Sequence, residues 1–288
     1  MALEDGSVFF GEGFGFPCEV SGEVVFNTGM VGYPESLTDP SYRGQILVQT
    51  YPLIGNYGVP SKSITDPWGI PLHFESDRIQ VSGYVVHFLS REPHHWAMEK
   101  TLDEWLYEER IPGIAGVDTR RLTKKLRIKG TMLGILKVDE EITKEDVKDV
   151  LARVGEVEDP NKRDLVAEVT VKEPIVYGDG RHTVVVVDCG VKYGIIRNLL
   201  KRGLRVVRVP YDYPLDKILD LEPSGVVLSN GPGDPKMCRE TIKTAEGLLE
   251  TDLPVLGICL GNQILALAAG ADTYKLKFGH RGQNHPCK

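Results

Sequence analysis

From residue 183 onward the chain alternates between short, continuous apolar runs and stretches of helical periodicity, and this alternation constrains the fold more than any other feature. The runs occupy 183–188 (Thr-Val-Val-Val-Val-Asp), 204–209, 225–229 and 253–258. Between them, 193–202 places Ile196, Leu199 and Leu200 on one side of a helix, and 215–221 and 238–250 read as two more helices. A run with no polar alternation is a strand buried on both faces, and strands joined through helices are parallel. Sheets of this kind bind ligands at the carboxyl ends of their strands. Attention therefore falls on Asp188-Cys189-Gly190, on the loop 229–235 (Ser-Asn-Gly-Pro-Gly-Asp-Pro), and on Cys259-Leu260-Gly261.

The last of these is the sharpest. Gly257-Ile258-Cys259-Leu260-Gly261 follows a predicted strand and precedes a helical stretch beginning at Ile264. Gly-x-Cys-x-Gly on a strand-to-helix turn is a nucleophile elbow with cysteine in place of serine. The turn is sharp, so side chains at either flank would collide. A thiol at a helix N-terminus lies at the positive end of the macrodipole, which favours the reactive thiolate. The backbone N–H of Leu260 is placed to donate to a developing oxyanion. Read alone, the motif also fits a buried cysteine in a small-residue turn; strand before and helix after favour the nucleophile. The loop 229–235 is either an ordinary turn or a rigid loop offering a second oxyanion donor from Gly231 or Gly233.

The first part of the chain, 1–172, reads as a compact α+β domain. Strand-forming runs lie at 8–10, 23–26, 45–48 and 81–86; helical stretches lie at 99–110, 118–127 and 143–151, the last with Thr143 and Asp146 spaced as a capping box. Residues 173–182 (Glu-Pro-Ile-Val-Tyr-Gly-Asp-Gly-Arg-His) read as a linker, and 183–288 as the second domain. A length of 288 residues is about two domains. The balance of 34 basic against 41 acidic residues, net −7, argues against a nucleic-acid partner. No apolar run approaches the roughly 18 residues of a membrane span. With no basic or apolar leader, a cytoplasmic location is expected. The five cysteines include no Cys-x-x-Cys, and the adjacent His94 and His95 point apart, so no metal site is expected in this chain.

Taken together, the Gly-Ile-Cys-Leu-Gly-x-Gln and Ser-Asn-Gly-Pro-Gly-Asp-Pro segments resemble the class I glutamine amidotransferases. The N-terminal part narrows this. Segments 22–30 (Gly-Glu-Val-Val-Phe-Asn-Thr-Gly-Met), 32–35, 37–42 (Leu-Thr-Asp-Pro-Ser-Tyr), 50–58, 116–120 and 122–124 are similar to the small chain of carbamoyl phosphate synthetase. The resemblance covers nearly the whole chain. It implies a flavodoxin-like parallel-sheet domain after the α+β domain. It also implies hydrolysis of glutamine through a cysteine thioester on Cys259, with ammonia channelled to a large synthetase chain that makes carbamoyl phosphate for pyrimidine and arginine synthesis. Ser41, Gly231, Gly233, Leu260 and Gln263 match glutamine-binding positions. ATP and a divalent metal are expected on the large chain and no cofactor on this one.

The family's catalytic base is the His of a downstream Gly-His-Pro-Glu segment, and a Gln-Asn-His-Gly-Phe segment holds glutamine; the chain ends before both. Asn284-His285-Pro286-Cys287 mimics the former but has Cys where Glu is needed, so His280 and His285 are expected to be structural. Asn262 stands where the family most often has His. The expectation is an incomplete amidotransferase domain with little glutaminase activity alone. The alternative is a catalytically inactive fragment that docks on or regulates a large chain. Other amidotransferases, of the anthranilate or GMP synthesis type, lack the N-terminal domain.

Overall fold

A computed structural model describes residues 1–279. The N-terminal part is built on a seven-stranded mixed sheet. Its spatial order is Ala2–Leu3, Met132–Lys137, Glu19–Asn27, Gln45–Gln49, Gly83–Val85, Pro112–Ala115 and Glu12–Gly15. The four strands from Glu19–Asn27 to Pro112–Ala115 run parallel, and the others are antiparallel additions at the edges. Both faces are covered, which explains why Ile46, Leu47 and Val48 are all fully buried. Leu47 faces a core containing Leu102, Trp105 and Leu106 of the helix Leu102–Glu108. Ile46 and Val48 face a second core with Leu122 and Leu126 of the helix Thr119–Lys129. Thr143 and Asp146 form the expected capping box on the helix Lys144–Arg153.

The second sheet has the order Ile175–Tyr177, Leu204–Pro210, His182–Asp188, Gly225–Leu228, Val255–Gly257. The last four strands are parallel. Val185 and Val187 point into one core and Val186 into another. The period of two is intact but both faces are apolar, hence the unbroken valine run. This is the α/β parallel-sheet fold read from the sequence, beside a mixed N-terminal domain.

Local differences have local causes. In the apolar run 8–10, Val8 makes a single bridge to Ala2, and Phe10 is exposed. The helical stretch 99–110 starts late because Met98–Lys100 pairs with Val59–Pro60. Within 173–182, Ile175–Tyr177 forms an antiparallel edge strand against Leu204–Pro210. Three residues between a proline and a glycine carry too little periodicity to signal a strand. The two sheets are joined through packed elements: Val166 of the helix Leu165–Val169 enters one core of the second sheet, and Ile70 enters the other. Arg197 reaches back to Asp66 at 3.0 Å.

Candidate active site

The turn after Val255–Gly257 is strained at one residue. Cys259 has φ 53° and ψ −107°, in the region L-residues avoid, and caps the N-terminus of the helix Leu260–Ala268. Its neighbours make that conformation possible. A Cβ at Gly257 would lie 2.6 Å from the backbone of Gly261 and Asn262. A Cβ at Gly261 would lie 2.1 Å from the carbonyl oxygen of Leu228. The amide of Gly261 donates to the carbonyls of Ser229 and Ile258, both at 3.0 Å, and that of Ile258 to Leu228 at 2.9 Å. The elbow is thus bolted by backbone contacts to the end of the adjacent strand, and Cys259 is left exposed. Strain that persists because its surroundings over-determine it is a mark of a functional site.

The neighbouring strand ends are equally organised. Asp188 is fully buried. Its Oδ1 accepts from the amides of Gly190 and Val191 at 2.9 and 2.7 Å, and its Oδ2 accepts from Val171 N and from Arg208. Gly190 has φ +119°. A Cβ at Gly231 would lie 2.0 Å from the carbonyl oxygen of Cys189, so these two loops touch through backbone. Gly233 requires glycine for another reason, a φ of +82°.

The N-terminal part supplies the opposite wall. Asp39 caps the turn Pro40–Tyr42 by accepting from Ser41 N at 2.9 Å. Asn230 Nδ2 donates to Ser41 Oγ and to the carbonyl of Gly190, both at 3.0 Å. Lys192 Nζ sits 3.6 Å from Asp39 Oδ2. Asp39 holds the Lys192 ammonium above the usual lysine range despite burial, and the charge of Cys259 acts in the same direction. Burial pushes the carboxyls of Glu35 and Glu75 up. Glu75 Oε2 accepts from Gly194 N at 2.7 Å, at the start of the helix Tyr193–Leu200.

Between these walls lies a cavity of about 680 Å3. Cys259, Ser41, Gly231, Gly233, Leu260 and Gln263 all line it. So do Asn230, Lys192, Asp39 and Glu75, which sequence reasoning did not single out as site residues. Asn230 stood within a loop already under scrutiny. Lys192 had no signal of its own, because it acts through a partner 153 positions away. His280 and His285 lie outside the described residues.

A two-sheet chain whose cysteine elbow shares a cavity with a serine from a turn of the N-terminal part matches known proteins over its whole length. The carbamoyl-phosphate synthase small chain domain matches residues 1–136, and the class-I glutamine amidotransferase family matches residues 185–288. A carbamoyl phosphate synthase small chain of Methanopyrus kandleri is 52% identical over 288 residues, covering 100% of this chain and 77% of that protein. One from Pyrococcus furiosus is 49% identical over 291 residues, covering 100% of this chain and 76% of the relative.

The chain belongs to the carbamoyl-phosphate synthase small chain family.

That family is the glutamine amidotransferase subunit type. A multifunctional protein CAD of Squalus acanthias is 51% identical over 290 residues, which is 100% of this chain and 12% of that protein. Small-chain sequence therefore also occurs within a much longer polypeptide. No helix among the described residues is long and apolar enough to cross a membrane.

Proposed function

We propose that this chain acts on glutamine through Cys259. The observation that carries the reading is the strained, exposed cysteine at a helix N-terminus, facing a cavity whose other wall presents Ser41. The Cys259 sulfur attacks the side-chain amide carbon of glutamine, forming a C–S bond and a tetrahedral oxyanion. The amide of Leu260, at a helix start without an intrahelical acceptor, and that of Gly231 or Gly233 donate to that oxyanion. Collapse breaks the C–N bond, and ammonia leaves carrying the proton that the thiol gave up. Water then cleaves the thioester to glutamate and returns the thiol. Lys192, within electrostatic reach of Cys259, favours the anionic sulfur. Ser41, Asn230 and Gln263 hold the polar ends of the substrate. Among the described residues no histidine lines the cavity, so proton transfer to the departing ammonia is assigned to none of them.

The ammonia is passed to a large synthetase chain in the cytoplasm, where ATP, a divalent metal and bicarbonate yield carbamoyl phosphate for pyrimidine and arginine synthesis. This chain itself needs no cofactor for the amide step. The test is glutamine hydrolysis and labelling by a diazo-ketone glutamine mimic, with and without the large chain. Wild type should label at Cys259, and Cys259→Ala should lose both labelling and glutamine-dependent synthesis while synthesis from added ammonia continues. Labelling that persists in Cys259→Ala would end the proposal.

A further inference from the structure

After the helix Leu260–Ala268, residues 271–279 run without regular secondary structure to contacts with the N-terminal part. Thr273, Tyr274, Lys275, Leu276 and Gly279 form part of the wall of the cavity that Cys259 also lines. Most of the segment is not held by burial: Tyr274 is 85% and Leu276 51% exposed, and only Phe278 packs against a core. It is held at discrete anchors. Asp272 pairs with Lys236 at 2.7 Å, the carbonyl of Lys277 accepts from Thr131 N at 3.0 Å, and the Phe278 ring packs 5.8 Å from Phe26.

The remaining anchor differs in kind. Lys275 Nζ lies 2.7 Å from Glu23 Oε1 and 3.7 Å from Asp159 Oδ2. Glu23 belongs to the strand Glu19–Asn27, and its side chain is only 4% exposed. Its carboxylate also accepts from Gln45 Nε2 at 2.7 Å and Thr131 Oγ1 at 2.8 Å. A buried carboxylate is tolerated when it is paired and hydrogen-bonded, and losing its cation is costly. Burial alone would lower the Lys275 ammonium, but Glu23 and Asp159 hold it above its usual range. Among the side chains that anchor the segment, Lys275 is the one that lines the cavity, and Glu23 lines it too.

The geometry points to Lys275 and Glu23 as a latch that positions the 271–279 strap as a wall of the substrate cavity, so that this ion pair sets how far the cavity is enclosed around Cys259 and its affinity for the amide substrate. The latch rests on the reading of that cavity as the glutamine site. It spans the two sheets, so it ties the elbow helix to the domain that carries Ser41. Lys275 acts through the strap and Glu23 through Lys275; both are positioning residues.

The test compares Lys275→Met, the double variant Glu23→Gln/Lys275→Met and Lys275→Arg with wild type. The double variant removes both charges and leaves no lone buried carboxylate, so it keeps the test alive should Lys275→Met fold poorly. The first readout is the alkylation rate of Cys259 by iodoacetamide, corrected with Cys259→Ala. The second is KM and kcat for glutamine. Opening the wall should raise the alkylation rate about fivefold and KM about tenfold, with kcat within about twofold, and Lys275→Arg should restore both. A folded double variant that alkylates at the wild-type rate overturns the latch, whatever its glutamine kinetics. If alkylation rises while wild type turns over no glutamine, the latch stands and the amidase reading falls.

Discussion

The two walls of the cavity are built differently. The elbow wall is held by backbone: glycine close approaches at Gly257, Gly261 and Gly231, and amide–carbonyl bonds between adjacent strand ends. The N-terminal wall is held by side chains reaching across the chain: Asn230 to Ser41, Lys192 to Asp39, Glu75 to Gly194, Lys275 to Glu23. Backbone contacts fix a geometry rigidly and fail by unfolding. A neutral side-chain bridge such as Asn230 to Ser41 is worth about 1 kcal/mol and fails by loosening. Cys259 therefore sits on the rigid side, and Ser41 on the adjustable one.

The largest effect that would break this contrast belongs to the rigid wall. Arg208→Met leaves the buried Asp188 carboxylate without its cation, held only by the amides of Val171, Gly190 and Val191, and should cost about 3 kcal/mol in urea unfolding. A cost near zero would mean that the Gly190 loop needs no such support. Next, Gly261→Ala forces a Cβ against the Leu228 carbonyl and should destabilise by about 1–3 kcal/mol or more, with Cys259 labelling lost even in the fraction that folds. Wild-type labelling in that variant would show the elbow to be less constrained than its contacts require.

Smaller effects sharpen the other wall. Asn230→Ala and Ser41→Ala form a double-mutant cycle across the two sheets, with an expected coupling of about 0.5–1.5 kcal/mol in stability and a larger loss in KM than in kcat. Additivity of the two would show that the 3.0 Å bond does not join the walls. The smallest effect is one of pH. Burial, with the like charge of Glu75, raises the Glu35 carboxyl, so the native state holds that proton to higher pH than the unfolded chain does. The resulting penalty is absent in acid and appears as pH rises through the raised value. Glu35→Gln should melt above wild type at about pH 7 and level with it at about pH 3.5. A melting difference independent of pH would remove Glu35 as the cause.

Much of the second sheet was legible because its information is local. Each apolar run is one strand, each interruption one helix with its flanking loops, and Val184 to Val187 needed no distant partner to be read. The N-terminal sheet was harder. Glu12–Gly15 and Pro112–Ala115 pair with each other 100 positions apart, and their glycines exist for close packing: a Cβ at Gly113 would meet the ring of Phe14 at 2.4 Å. Such strands show weak β-propensity because what selects them is the neighbour, not the backbone.

The site divides along the same line. The elbow at Cys259, with Gly257 and Gly261, was legible in the sequence itself, because strand end, turn and helix start are consecutive, although the contact that demands Gly261 is the Leu228 carbonyl of the adjacent strand. The place of Ser41 is different: a turn after Asp39 carries no mark of a binding residue, and only the resemblance pointed to it. What sets it opposite Cys259 is the docking of two sheets through Asn230, Lys192 and Lys275. Those contacts join residues too far apart in sequence for any periodicity to record, so only the tertiary structure decided them.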